Sequence, residues 1–112
     1  MQYKGVVQKG KKLATKLGFP TVNIALPKDD SVSGIFAAKV FVDGTEYSAA
    51  AYVNKRRHVL EAHLFDFSGD LYGKEIEIEL LQKMREDGLL AGPELRAAIE
   101  DDIAKIREYF KN

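Results

Sequence analysis

Thr21 and Asn23 are the first residues in the chain whose types and spacing could do chemistry. They lie two apart in the run Leu17-Gly18-Phe19-Pro20-Thr21-Val22-Asn23-Ile24. Pro20 fixes its own φ and biases Phe19 toward extended geometry, so the segment should be straight. In an extended segment, residues two apart project to one side. A hydroxyl and an amide would then point together, with Val22 and Ile24 turned toward a core. Two neutral oxygen ligands suit a hard cation such as Mg²⁺, which completes its shell with water and phosphate oxygens. The same pair beside a proline also fits an ordinary turn or strand edge. Immediately upstream, residues 10–18 place Gly10 and Gly18 around Lys11, Lys12 and Lys16. Glycines permit close backbone approach and the lysines supply charge, which makes a general phosphate cradle, or else a basic surface loop. It is not a Walker A loop, because Gly10-Lys11 is followed by Lys12 rather than by Ser or Thr.

Charge is distributed in a way that bears on this loop. The chain is formally neutral, yet residues 1–60 carry ten Lys and Arg against four Asp and Glu, and residues 61–112 carry seven against thirteen. An electropositive first half could receive phosphates, whereas overall neutrality argues against a general nucleic-acid binder. The absence of cysteine excludes disulfides and thiolate metal sites and fits a reducing compartment. His58 and His63 are too few for a histidine-based metal centre without carboxylates. No apolar run approaches membrane-spanning length and residues 1–10 have no apolar core of a signal peptide, so neither secretion nor a membrane anchor is expected. At 112 residues the chain is expected to form one domain, spanning 1–112.

The elements that would position these residues are short strands. Residues 2–9 read as a first strand and residues 35–42 as a buried one. Asp43-Gly44 is a two-residue hairpin signal that pairs residues 35–42 with 45–53. A strand over residues 59–67 would put Leu60, Ala62 and Leu64 on one face and Glu61, His63, Phe65 and Phe67 on the other. Residues 74–82 alternate, with Ile76, Ile78 and Leu80 inward and Glu75, Glu77 and Glu79 outward. Pro93 opens a helix whose apolar stripe is Leu95, Ile99, Ile103, Ile106 and Phe110. Asp102 falls on that stripe, where a solvated charge is out of place, and should meet an arginine, a backbone donor or a ligand. About six strands and one terminal helix predict a mainly β fold, a closed six-stranded antiparallel barrel with a C-terminal α-helix, since closure removes exposed edges; an open sheet covered by the helix is the alternative.

The run from Gly18 to Asn23 resembles the Gly-Phe-Pro-Thr-Ala-Asn signature of the riboflavin kinase (flavokinase) family, with Val22 in the alanine position. The resemblance continues through Asn54, Glu61-Ala62-His63, Asp66 to Lys74, Arg85-Glu86 and the final helix. It implies a small Greek-key barrel with a C-terminal helix that transfers the ATP γ-phosphoryl group to the ribityl 5′-hydroxyl of riboflavin, giving FMN and ADP. By the same resemblance Thr21 and Asn23 hold Mg²⁺ and nucleotide. Gly10, Lys11, Lys12, Lys16, Gly18 and Pro20 belong to the loop that closes over the phosphates, and Tyr72 stands on the ATP side. Glu61 is the catalytic carboxylate, the general base for the 5′-hydroxyl, while Arg85 and Asp102 belong to the flavin side. His63 takes a structural role.

A cytoplasmic monomer acting on riboflavin and ATP is therefore expected, with no nucleic-acid or membrane partner. No FAD synthesis is expected, because the adenylyltransferase domain fused to many bacterial members has no counterpart in these residues. The sequence departs from the family at Ala14, where relatives carry a glycine or a basic residue. It departs again after Asn54, where Lys55-Arg56-Arg57-His58 replaces a longer Gly and Pro-Thr flap. These departures keep two alternatives open: a non-catalytic flavin or nucleotide-binding module of the same fold, and a small basic barrel that binds RNA or a protein through residues 9–16 and 55–57.

Overall fold

The computed structural model describes residues 1–8, 21–27, 32–54, 58–67, 69–86 and 92–111. Six strands follow in chain order: β1 (Gln2–Val6), β2 (Val22–Ala25), β3 (Gly34–Val42), β4 (Thr45–Asn54), β5 (Val59–Leu64) and β6 (Glu75–Arg85). They precede α1, the helix Gly92–Lys111. All pairings are antiparallel, and the sheet order is β1-β6-β3-β4-β5-β2. Three hairpin-linked strands, β3 to β5, are followed by a fourth that returns beside the first, which is the Greek-key order expected.

The sheet curls until its two edges nearly meet. A Cβ built on Gly5 of β1 would lie 3.1 Å from the Ile24 side chain of β2, so a side chain there would push the edges apart. Beyond β1, the Gln8 amide donates to the Asn23 carbonyl at 2.9 Å. The result is the nearly closed barrel anticipated from the strand count.

Local chemistry explains the strands. Asp43 and Gly44 both have positive φ, 50° and 81°, the pair of left-handed residues that a tight hairpin matching strand twist requires. The hairpin so formed pairs Val42 with Thr45 and runs back to Gly34 opposite Val53. From Gly34 to Ala38, β3 is apolar on both faces because both are covered there, and Lys39 beyond is partly exposed. Phe36, Ala38, Val40 and Val42 enter the barrel interior, whereas Ile35 and Ala37 lie in a second cluster with Phe65 and with Ile106 of α1. β6 alternates cleanly only where one face is wet, with Ile76, Ile78 and Leu80 buried in the interior cluster. Beyond Leu80 its register with β3 shifts twice, skipping Leu81 and Met84. Each such bulge adds an unpaired residue and turns the side-chain alternation over. The strand therefore continues to Arg85, three residues past its expected end.

One expectation is corrected. β5 stops at Leu64, and Phe67 does not share the face of Glu61. The Phe65 amide still donates to the Ser48 carbonyl at 2.8 Å, but Asp66 adopts φ 57°, which swings the chain over the barrel end. Phe67 then packs against the interior cluster, edge-on to Tyr47 with ring centroids 5.2 Å apart. β1 is also shorter than expected, ending at Val6.

α1 lies against β3 and β4. Its stripe is the one expected: Asp102 and Ile106 are buried, and Leu95, Ile99, Ile103 and Phe110 are half-buried. Glu94 in the first turn and Lys111 in the last complement the helix dipole.

Candidate active site

A single row of residues crosses the outer face of the barrel from β2 to β6. Asn23 stands directly opposite Glu61, Glu61 opposite Tyr52, Tyr52 opposite Ile35, and Ile35 opposite Arg85. Residues facing one another across antiparallel strands project to the same side, and their chain neighbours Ile24, Leu60, Ala62 and Val53 fill the interior. At about 4.8 Å per strand, the row runs about 14 Å from Glu61 to Arg85.

The two ends of this row are both polar, and each has a buried polar group on it or paired with it. Asn23 is 2% exposed, Glu61 8% and Asp102 5%. At the β2 end, Nδ2 of Asn23 has no hydrogen-bond partner among the described residues, although the side chain is sealed from bulk water. A buried amide donor is costly to leave without a partner, so a bound group or an ordered water that reached Nδ2 would be favoured there. Glu61, its neighbour across the ladder, is a carboxylate fixed on a strand directly opposite Asn23. Thr21 precedes β2 by one residue and is half-buried.

At the β6 end the polar groups satisfy one another. Arg85 Nε and Nη2 donate to Oδ1 and Oδ2 of Asp102, each at 2.8 Å, and Nη1 donates to the Glu86 carbonyl at 3.0 Å. The partner expected for Asp102 is thus an arginine, and the two-pronged pair ties α1 to the sheet. Glu86, next along and exposed, has its carboxyl held below the ordinary range, chiefly by the hydrogen bond from the Lys83 ammonium. The Ser33 hydroxyl also donates to it, at 3.3 Å.

Tyr72 is linked to the β2 end through a chain of backbone hydrogen bonds. It is 55% exposed, on a loop whose tip is fixed by the Tyr72 amide donating to Asp70 Oδ1 at 2.9 Å. That loop docks on the end of β1, with Gly73 N donating to Val7 O at 3.0 Å and Val7 N to Lys74 O at 2.9 Å. Gln8, the next residue, bonds the Asn23 carbonyl. His63 is half-buried on β5 and meets Phe65 edge-on at 5.8 Å, while the Arg107 guanidinium of α1 lies 4.3 Å from the Phe65 ring centroid. Gly10, Lys11, Lys12, Lys16, Gly18 and Pro20 lie outside the described residues, as do Ala14 and the basic residues at 55–57.

The structure therefore brings Asn23 and Glu61 together and holds Arg85 and Asp102 at the far end of the same row. Tyr52, between them, was not singled out in the sequence. Its signal there is slight: an aromatic residue in the alanine-rich run Ala49-Ala50-Ala51, on the parity opposite to Tyr47.

Taken as a class, this is a small Greek-key barrel with a buried polar pair on its outer face and a helix clamped alongside. The riboflavin kinase family model, Flavokinase, matches residues 1–110, and the chain belongs to that family. Over 112 residues it is 37% identical to a bifunctional riboflavin kinase/FMN adenylyltransferase of Pseudomonas fluorescens, a match covering 92% of this chain and 36% of the relative. The chain thus spans little more than a third of the curated relatives it matches. Two solved structures share the fold at 24% identity. One is a riboflavin kinase from Trypanosoma brucei, with TM-score 0.68 over 99% of this chain and 77% of that one. The other, described as a macrolide-efflux protein from Streptococcus pneumoniae, has TM-score 0.78 over 95% of this chain and 36% of that one.

Proposed function

We propose that this protein phosphorylates riboflavin at the ribityl 5′-hydroxyl, using ATP and giving FMN and ADP. The observation that carries the reading is the direct opposition of Asn23 and Glu61, both buried, on one face of β2 and β5. Family membership supplies the substrate class, and the geometry supplies a mechanism for these residues.

Phosphoryl transfer needs alignment and charge neutralisation more than covalent catalysis. Glu61 is the base. It accepts the proton of the 5′-hydroxyl as the oxygen attacks the γ-phosphorus, and its strand holds it in line without a flexible tether. Asn23 and Thr21 are the residues that would hold Mg²⁺ with the triphosphate. The donor set fits: a buried amide whose nitrogen has no described partner can offer oxygen to a hard cation and N–H to a phosphate oxygen, and a hydroxyl lies two residues away. When bound, the metal supplies neutralisation of the phosphate charge. Gly10, Lys11, Lys12, Lys16, Gly18 and Pro20 are assigned to phosphate contact by motif, and Tyr72 to the nucleotide side.

Arg85 and Asp102 are assigned to the flavin side by motif. Their two-pronged pair also ties α1 to the sheet on that side. The protein is expected to act as a monomer in the cytoplasm; no helix among the described residues is long and apolar enough to cross a membrane. Incubation with riboflavin and MgATP, with FMN resolved by chromatography, tests the proposal. Formation of FMN that is lost in Glu61→Gln is the expected result. Saturable binding of riboflavin with no FMN would replace the reading with a non-catalytic flavin module.

A further inference from the structure

Tyr52 occupies a position that the reaction gives a meaning. In an in-line displacement the attacking and leaving oxygens lie on opposite sides of the phosphorus, so the acceptor's carbon chain extends away from the nucleotide. If the attacking oxygen sits at Glu61 and the nucleotide side is Asn23 on β2, the acceptor chain must leave toward β4, where the next residue on the same face is Tyr52. One strand spacing is about 5 Å, roughly the length of a chain of four or five carbons partly folded. Beyond Tyr52 the row becomes apolar at Ile35 and then reaches Arg85, which pairs with Asp102 of α1.

The tyrosine is also suitably held. It is half-buried and packs against the cluster of Ile35, Ala37, Phe65 and Ile106, so its ring is braced by the sheet and by α1. A phenol combines an apolar face with a group that both donates and accepts, which matches a chain alternating C–H and O–H.

We infer that Tyr52 is a specificity-determining residue that contacts the hydroxyl-bearing chain of the acceptor, and not its aromatic ring. The inference rests on the phosphorylation reading above and concerns its acceptor side. It is tested by binding, which separates the two. Flavin fluorescence quenching is measured for riboflavin and for lumiflavin, which carries the same ring with a methyl group in place of the polyol, on the wild-type protein and on Tyr52→Phe. Phenylalanine keeps the packing and removes only the hydroxyl. The expected result is that riboflavin binds about fivefold more weakly to the variant while lumiflavin is unaffected, the loss of one hydrogen bond. Equal weakening of both flavins, or no change in either, overturns the inference. Tyr52→Leu should repeat the selective loss for riboflavin if the contact is to the chain, and should weaken both flavins alike if the ring merely stacks. Wild-type protein that binds riboflavin but forms no FMN removes the kinase reading, while the pair of flavins still decides where Tyr52 acts.

Discussion

The two ends of the row across the barrel face contain the same kinds of groups in opposite conditions. At β6, a carboxylate 5% exposed is met at both oxygens by arginine N–H groups at 2.8 Å. At β2, an amide 2% exposed keeps a nitrogen with no described partner, beside a carboxylate 8% exposed. Burial alone does not separate a structural polar group from a functional one. What separates them is whether the protein itself completes the hydrogen bonding. A completed pair holds elements together, whereas a buried donor with no described partner is open to a bound group, as the proposed function assigns to Asn23.

That contrast can be broken by substitution at each end. Glu61→Gln is expected to have the largest effect, lowering the rate of FMN formation by about 10²- to 10⁴-fold with little change in flavin affinity, as loss of a general base does. Parallel loss of rate and affinity, with an altered far-ultraviolet spectrum, would mean that Glu61 serves the fold.

Arg85→Ala comes next, read as stability. It strands Asp102 without its partner, and removing one member of a buried pair costs about 3–5 kcal/mol. Because the Arg85 side chain is 32% exposed, water can partly replace it, and about 2 kcal/mol is expected in urea unfolding. A change within error would show that the pair does not clamp α1.

Asn23→Ala should show the reverse pattern. Its described contacts leave the amide nitrogen unanswered, so stability should change by less than about 1 kcal/mol, while the KM for MgATP rises about tenfold or more. A stability loss as large as that of Arg85→Ala would erase the distinction between the two ends.

The smallest effect concerns Glu86. Its carboxyl is held low in the folded protein by the Lys83 hydrogen bond. A depressed carboxylate contributes stability that is present above its ordinary range and is lost as pH falls through the folded value. Lys83→Ala should flatten that acid limb slightly, and a carboxyl titration by nuclear magnetic resonance should show Glu86 moving up. An unmoved Glu86 would mean that Lys83 is not its partner in solution.

Part of this was legible in the residues. Asp43-Gly44 announced its hairpin because only small or turn-forming residues accept two successive left-handed conformations. The helix stripe, with Asp102 misplaced upon it, announced a buried partner. Phe67 was misassigned because alternation holds only while the strand stays extended, and the positive φ of Asp66 ended it three residues early. The bulges at Leu81 and Met84 were invisible for a related reason: a skipped residue is a property of two strands in register, not of one.

The order of residues by itself determined the strand-forming runs, the helix, the Thr21 and Asn23 pair and the motifs that match the family. These depend on local sterics and on side-chain periodicity. Only the tertiary structure decided that Asn23 faces Glu61, that Tyr52 stands between Glu61 and Ile35, and that Arg85 meets Asp102. Such pairings join residues far apart along the chain. They are set by which strand edges come together when the barrel closes, a global packing condition that no single segment encodes.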